Sequence, residues 1–351
     1  MQVIVHAGLH KSGTTSLQEA WRRAYADHPT VWYPPPPPGP PGHHRLFRPL
    51  LRAFTDGLAP DLLGASIAFQ GRGVGRQTLA DVLAAGRRNE VGTVVLSSED
   101  LDRAHEEDRA ALEQALAGER VTLVLTATAP IHRWCSGWQT LVKHGLAQYP
   151  ADAARHVVEF AALRAGRLAE LVELIPASRH VVRLVRNSPP EPDLAADLAA
   201  ALGLPDARSA VAQPVHNASL GTDTEVVLRI NRADLALGTD RVGRDLLERL
   251  RGDGFAYRDA PGLEERYAVP DEVLEAAAVE AAWLGDLDSL LDPHGVLATW
   301  TDPTLPEWYR TISRREAVVP ELEGAEDRET QLWRARQERG AYRKGLLRLR
   351  R

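Results

Sequence analysis

Four short runs of aliphatic and β-branched residues occur before residue 186 of the chain. They are Val3–Val5, Thr93–Leu96, Val121–Leu125 and Val181–Val185. Apolar residues follow one another in each run instead of alternating with polar ones, which is typical of strands buried on both faces of a parallel sheet. The pattern therefore predicts four buried, parallel strands.

Helical periodicity fills the intervals between these runs and continues after them. The predicted helices cover residues 15–26, 77–89, 106–117, 132–147, 153–174 and 191–202, and further helical stretches cover 222–236, 240–252 and 270–291. Strands that alternate with helices indicate an α/β fold with a doubly wound parallel sheet flanked by helices. After about residue 218 the chain is expected to be mostly helical.

Two segments depart from this alternation. Pro34–Pro41 reads PPPPPGPP, which predicts a polyproline-II-like surface loop and leaves open a role as an interaction ligand. Residues 311–351 carry little hydrophobic pattern. We expect one α/β domain over residues 1–310, with a helical subregion at about 218–300, and a basic helical or disordered tail over 311–351.

Composition and charge narrow the class of protein. With 44% hydrophobic and 26% charged residues, the 351-residue chain is of ordinary globular type. No window approaches the ~18 uncharged apolar residues that span a membrane, and the N-terminus resembles a first strand more than a signal peptide. A single cysteine, Cys135, excludes an intrachain disulfide, and cytoplasmic localisation is the expectation.

The two ends of the chain differ in charge. The last eighteen residues carry +7, whereas the whole chain carries −6. An acidic body argues against nucleic-acid binding, while the basic end is suited to an anionic partner or a second subunit. Homo-oligomerisation therefore stays open.

The most informative segment lies between the first strand and the first helix. It runs from Gly8 to Thr15 and reads GLHKSGTT. A strand, a glycine-bearing loop and a helix N-terminus together form an anion cradle, because backbone N–H groups and the helix dipole face the ligand. Thr14, Thr15 and Ser16 add hydroxyl donors, and Lys11, one of three lysines, adds a positive charge.

This loop differs from the ATP-binding P-loop. In GxxxxGK[ST] a lysine follows the second glycine directly. Here Gly8 and Gly13 have that separation, but Thr14 stands in the lysine position. An NTPase also needs an acid after a neighbouring strand, and neither the strand ending at Leu96 nor the one ending at Leu125 continues with an aspartate. A P-loop kinase or NTPase is therefore disfavoured.

The sequence Lys11-Ser12-Gly13-Thr14-Thr15 instead resembles the sulfotransferase family, whose 5′-phosphosulfate loop reads K-[ST]-G-T-T. The longer string from His6 to Gln18 is similar to the bacterial, actinobacterial-like branch. Over about residues 1–300, further segments follow that branch in order: Tyr33-Pro34, Leu96–Glu99, Ser136–Gln139 with Val142–Gly145, and Asn217–Leu220. The resemblance implies a P-loop-like fold.

The resemblance also implies a donor and its ligands. The donor would be 3′-phosphoadenosine 5′-phosphosulfate (PAPS), the product 3′,5′-ADP, and no metal would be required. The donor-binding residues are Lys11, Ser12, Gly13, Thr14 and Thr15, which match the motif, together with Ser16, whose hydroxyl follows them at the helix start.

One position departs from the family's pattern. The motif for the 3′-phosphate pairs an arginine with a serine eight residues later; Ser136 fits the serine, but Thr128 stands in place of the arginine. Arg133 lies three residues before Ser136, which puts both on one face of a helix. It either substitutes as the phosphate ligand or is a solvated surface arginine. The adjacent Trp134 and Trp138 are expected in the core, as is Cys135.

The resemblance also indicates catalytic residues. Lys11 would stabilise charge on the leaving phosphate. Glu99, at a strand tip, would be the general base, or else part of a helix-start cluster. His10 and His6 are alternative bases, or residues that shape the loop by hydrogen bonding.

These residues favour a PAPS-dependent sulfotransferase that acts by in-line displacement on a hydroxyl or amine of a small-molecule or glycan acceptor. A catalytically impaired nucleotide-binding relative is the alternative, because Thr128 replaces the arginine. A kinase or NTPase is a more distant one. No nucleic-acid partner and no membrane span are expected.

Overall fold

The computed structural model describes the chain in ranges separated by gaps: residues 1–9, 14–36, 42–55, 78–143, 148–152, 167–185, 194–207, 224–225, 227–228, 263–283 and 305–314. The predictions for residues 37–41, 153–166, 240–252 and 315–351 lie outside these ranges.

The described residues form a five-stranded parallel sheet in the order β2-β3-β1-β4-β5. The central strand β1 pairs with β3 and β4, so that Val5 lies opposite both Leu96 and Leu123. The strands are β1 (Gln2–His6), β2 (Val31–Trp32), β3 (Thr93–Ser97), β4 (Arg120–Ala127) and β5 (Arg179–Leu184). The four predicted strands are confirmed, whereas the two-residue β2 is too short to leave a hydrophobic pattern.

Helices occupy the predicted intervals. The helix at residues 79–88 starts with a capping box: Thr78 Oγ1 accepts from the Asp81 N–H, and Asp81 Oδ2 accepts from the Thr78 N–H. The helices are α1 (Thr14–Tyr25), α2 (His44–Phe47), α3 (Arg52–Thr55), α4 (Leu79–Arg88), α5 (Arg109–Leu116), α6 (Pro130–Lys143), α7 (Arg167–Leu174), α8 (Leu194–Leu202), α9 (Leu263–Arg266), α10 (Asp271–Trp283) and α11 (Glu307–Arg314).

Helices cover both faces of the sheet. Val3 and Val5 pack in one buried cluster with residues of α4, α5 and α7. Ile4, between them in sequence, packs in a second cluster with residues of α1 and α8. This arrangement is α/β with a parallel sheet flanked by helices, and it is compatible with a P-loop-like fold.

The connection that leaves β1 crosses the sheet in the opposite direction to those that leave β2, β3 and β4. The connection from β1 to the edge strand β2 carries α1 on one face. The next three connections run the other way and carry α4, α5 and α7 on the opposite face. Such a reversal is a topological switch point, and ligands of open α/β sheets bind beside the carboxyl ends of the strands there. The loop after β1 begins at this point.

The chain divides into two compact units. The first contains Met1–Trp134, Val158–Ala218 and Leu274–Thr304, and the second contains Cys135–Val157, Ser219–Val273 and Leu305–Arg351. The sheet belongs to the first unit. The domain boundary at residue 310 stays a prediction; α11 (Glu307–Arg314) runs through that position, with Tyr309 and Ile312 buried.

The second unit has an aromatic core of its own. The Trp138 ring meets those of Tyr267 and Tyr309 edge-on, with centroids 5.7 and 5.9 Å away. Buried Glu225 accepts hydrogen bonds from the hydroxyls of Tyr149 and Tyr267 at 2.8 and 2.7 Å. Among the described helices of the chain, none is long and apolar enough to cross a membrane.

Candidate functional site

The loop after β1 stays close to the neighbouring strand. The Ala7 N–H donates to the Val124 carbonyl and the Leu9 N–H to the Thr126 carbonyl, both at 2.9 Å. A Cβ on Gly8 would lie 2.6 Å from Thr126 Oγ1, 2.9 Å from His6 Nε2 and against the Thr14 methyl group. Only glycine fits this close approach. The predicted site residues His10, Lys11, Ser12 and Gly13 lie outside the described ranges.

His6 joins the ends of three strands. Its Nδ1 lies 2.7 Å from Ser97 Oγ on β3, and its Nε2 lies 2.9 Å from Thr126 Oγ1 on β4. Burial lowers the pKa of His6 to about 3, with a smaller opposing effect of the Glu99 carboxylate. A buried imidazole with both nitrogens engaged and this pKa is a poor proton acceptor at neutral pH. The loop-shaping role of His6 is therefore favoured over that of a base.

Glu99 and Thr14 meet at the start of two elements. Glu99 opens a 3-10 turn (Glu99–Arg103) after β3, and Thr14 opens α1. The Thr14 hydroxyl donates to Glu99 Oε2 at 2.7 Å. The structure thus brings together two predicted site residues that lie 85 positions apart, at the carboxyl edge of the sheet. Glu99 contacts the first turn of α1 in addition to its place in a helix-start cluster.

The three hydroxyls at the start of α1 differ in accessibility. Thr14 is buried, Thr15 is half-buried and Ser16 is exposed. Because the Thr14 hydroxyl donates its hydrogen bond to Glu99, its hydrogen already has an acceptor within the protein. Thr15 and Ser16 are the hydroxyls on this turn that a ligand can reach directly.

Arg167, on α7, holds the turn that carries Glu99. Its side chain is fully buried, and its Nη2 donates to the carbonyls of Asp102 and Ala104 at 2.6 and 2.7 Å. Its Nε donates to the Asp102 carbonyl at 2.9 Å, and its Nη1 to Glu170 at 2.8 Å. Sequence reasoning missed Arg167, since nothing distinguishes it locally from the many other arginines.

His43 holds the other side of the β3 tip. Its Nδ1 accepts from the Ser97 N–H at 3.0 Å, so its Nε2 carries the proton and donates to the Pro34 carbonyl at 2.9 Å. The Tyr33 ring packs on the His43 imidazole with centroids 4.4 Å apart. Burial lowers the pKa of His43 to about 4. This contact ties the Tyr33-Pro34 segment to β3, and no local pattern in the chain predicts it.

Arg133, on α6, is buried and only partly paired. It is 1% exposed, so the alternative of a solvated surface arginine is wrong. Its Nη2 donates to Glu280 Oε1 at 3.2 Å. Within the described part of the chain, its Nε and Nη1 have no hydrogen-bond partner. Buried donors are rarely left without an acceptor, and a guanidinium in this condition suits an oxyanion.

The surroundings of Arg133 on α6 follow the prediction in part. Trp134, Cys135 and Trp138 are fully buried, which confirms them as core residues. Burial raises the pKa of the Cys135 thiol. Ser136 is half-buried in the part of α6 assigned to the second unit.

No protein-family model, curated protein or solved structure matches this chain. The function is therefore inferred from the residues and geometry of the site.

Proposed function

We propose that this protein is a sulfotransferase that uses PAPS to sulfate a hydroxyl or amine of a small-molecule or glycan acceptor. The observation that carries the proposal is the 2.7 Å hydrogen bond between Thr14 and Glu99. It joins the loop that resembles a phosphosulfate cradle to a carboxylate suited to deprotonate an acceptor. Both lie at the switch point of a parallel sheet, where ligands of such folds bind.

The donor's two phosphate-bearing ends have separate candidate ligands. Lys11, Ser12, Gly13, Thr15 and Ser16 would hold the 5′-phosphosulfate end. Arg133 would hold the 3′-phosphate, because its buried Nε and Nη1 have no hydrogen-bond acceptor among the described residues. Planar guanidinium groups bind phosphate well. Ser136 stays a prediction from the motif.

The bound donor supplies a sulfuryl group, and its transfer releases 3′,5′-ADP. Lys11 would stabilise the negative charge that develops on the leaving phosphate. Glu99 would accept the acceptor's proton, and the Thr14 hydroxyl would orient the Glu99 carboxylate. His10 is the second candidate for the base.

Nucleotide binding tests whether the protein recognises the nucleotide part of PAPS. Calorimetry of the full chain should show tighter binding of 3′,5′-ADP than of 5′-AMP or ATP. Arg133→Met should abolish the preference for 3′,5′-ADP over 5′-AMP, because only 3′,5′-ADP carries the 3′-phosphate. Arg22→Met, at an exposed arginine of α1, is the matched control and should bind as the wild type does. Tighter binding of ATP would favour a kinase or NTPase instead.

Turnover tests the chemistry. Glu99→Gln keeps the size of the side chain but removes the basic carboxylate, and it should lower turnover by about 10²–10⁴-fold. Its affinity for 3′,5′-ADP should stay close to that of the wild type. A Glu99→Gln protein with unchanged turnover would exclude Glu99 as the base and make His10→Asn the next variant.

The pairing of Arg133 with Glu280 favours a second candidate function, a nucleotide-binding protein without transferase activity. The Glu280 carboxylate is paired with Arg133 and repels the 3′-phosphate of the donor, and Thr128 supplies no replacement cation. Binding of 3′,5′-ADP without turnover on any hydroxyl or amine acceptor would support this candidate.

A further inference from the structure

Arg133 and Glu280 form a buried ion pair within the first unit. They are 1% and 2% exposed, and 3.2 Å separates Arg133 Nη2 from Glu280 Oε1. The two residues come from α6 and α10 and lie 147 positions apart. Because both side chains are removed from water, salt screens their interaction only weakly.

Glu280 leaves part of the guanidinium available. An arginine presents two forked edges, one formed by Nε and Nη2 and the other by Nη1 and Nη2. Glu280 uses Nη2, while Nε and Nη1 have no partner in the described part of the chain. Whichever Nη2 hydrogen Glu280 accepts, one edge keeps both of its donors. That edge matches two oxygens of a phosphate or sulfate group.

Charge decides how strongly such a group binds. Arginine stays protonated at every pH of interest, so an ionised Glu280 makes the pair neutral. An oxyanion at the remaining edge gains the attraction of Arg133 but meets the repulsion of Glu280. The carboxylate therefore competes with any phosphate or sulfate group for the same cation.

We infer that Glu280 is an internal counter-anion that sets the affinity of Arg133 for a phosphate or sulfate group. Glu280 weakens anion binding in return for the stability that it gives the buried guanidinium. The inference rests on the proposed function only in assigning the 3′-phosphate of the nucleotide to Arg133. Its anion chemistry applies equally to free inorganic sulfate.

The test replaces Glu280 with glutamine in the full chain. Glu280→Gln keeps a hydrogen-bond acceptor for Nη2 but removes the competing charge. Calorimetry should show that inorganic sulfate and 3′,5′-ADP each bind about tenfold more tightly or better, with 5′-AMP unchanged. The double variant Arg133→Met/Glu280→Gln should lose this gain.

Thermal unfolding supplies a second measurement with a matched control. Glu280→Gln should lower the unfolding midpoint in chloride, and sulfate at equal ionic strength should restore it. Asp102→Asn removes a carboxylate from Arg167, whose three nitrogens all have other partners. This control should also unfold earlier, but sulfate should not restore it.

The outcomes separate this inference from the proposed function. Unchanged or weaker sulfate binding by Glu280→Gln, or a gain that survives the loss of Arg133, overturns the inference. If the wild type still prefers 3′,5′-ADP, the proposed function survives that result. A gain for sulfate in a protein that binds no nucleotide supports the inference and contradicts the function. Should Glu280→Gln fail to fold, Glu280→Asp withdraws the carboxylate from Nη2, and no gain in that variant overturns the inference.

Discussion

Arg133 and Arg167 are both buried arginines on helices of the first unit, but they differ in how their donors are used. All three nitrogens of Arg167 have acceptors: Nε and Nη2 donate to carbonyls of Asp102 and Ala104 at the Glu99–Arg103 turn, and Nη1 donates to Glu170 on α7 itself. Arg133 donates by one nitrogen to one carboxylate, Glu280. The two arginines are therefore equally buried but differ in how many of their nitrogens have a hydrogen-bond acceptor.

The difference indicates different roles for the two residues. A buried cation whose donors all have acceptors belongs to the scaffold, because its desolvation is offset by the protein itself. A buried cation with donors to spare is incompletely offset and attracts an anion from outside. Arg167 thus positions the turn that carries Glu99, whereas Arg133 is suited to a ligand.

Loss of the fully paired arginine should destabilise the protein most. Arg167→Met should lower the free energy of unfolding by about 3–5 kcal/mol, because it breaks a buried ion pair with Asp102 and removes the hydrogen bonds to the carbonyls of Asp102 and Ala104. Urea unfolding followed by circular dichroism measures the change.

The partly paired arginine offers the contrast. Arg133→Met/Glu280→Leu removes both charges at once, and replacing a buried ion pair with apolar residues is often neutral for stability. This double variant should unfold near the wild-type midpoint while losing the preference for 3′,5′-ADP. Equal destabilisation by Arg167→Met and by the double variant would erase the distinction between the two sites.

Periodicity and composition predict the parts of this molecule whose burial is local. The strands at Val3–Val5 and Val121–Leu125 can be recognised in the sequence because nearly every side chain in them is buried and the runs are therefore apolar. The start of α1 is likewise predictable, since the helix predicted for residues 15–26 begins within one residue of Thr14. Strand β2 is too short to give a pattern.

The supports of the site are not local and escape such reasoning. Arg167 reaches Ala104 across 63 positions, and His43 reaches Ser97 across 54. Contacts between residues so far apart in sequence produce no recognisable spacing or periodicity. The burial of Arg133 depends in the same way on Glu280, a partner that no motif connects with it.

Acid titration separates the buried arginines from the buried histidines, because an arginine stays charged at every pH of interest, whereas a histidine that is neutral in the folded protein becomes protonated in the unfolded chain below pH 6.5. The pKa values of His6 and His43 are lowered by burial from 6.5 to about 3 and about 4. The folded protein therefore binds fewer protons than the unfolded chain below pH 6.5. The contribution of the two histidines to the free energy of unfolding is fully present above that pH. It should fall by about 1.4 kcal/mol per pH unit for each histidine as the pH drops towards 4.

Urea midpoints of the wild type and of the variants His6→Gln and His43→Gln, measured between pH 7.5 and 5, check this slope. Each variant should lose about half of the pH dependence in that interval. A wild-type midpoint that stays constant over the interval would contradict the burial of two neutral histidines.

A third arginine, Arg22, is exposed and should matter least for stability. Arg22 donates to Glu19 through Nε and Nη2 at 2.9 and 2.7 Å, a forked geometry better than that of Arg133 with Glu280. The Arg22 side chain is 44% exposed, so water and salt screen the pair. Glu19→Gln should therefore change the free energy of unfolding by less than about 1 kcal/mol, and added salt should reduce even that difference. A loss as large as that of Arg167→Met would mean that hydrogen-bond geometry, and not burial, ranks the arginines of this protein.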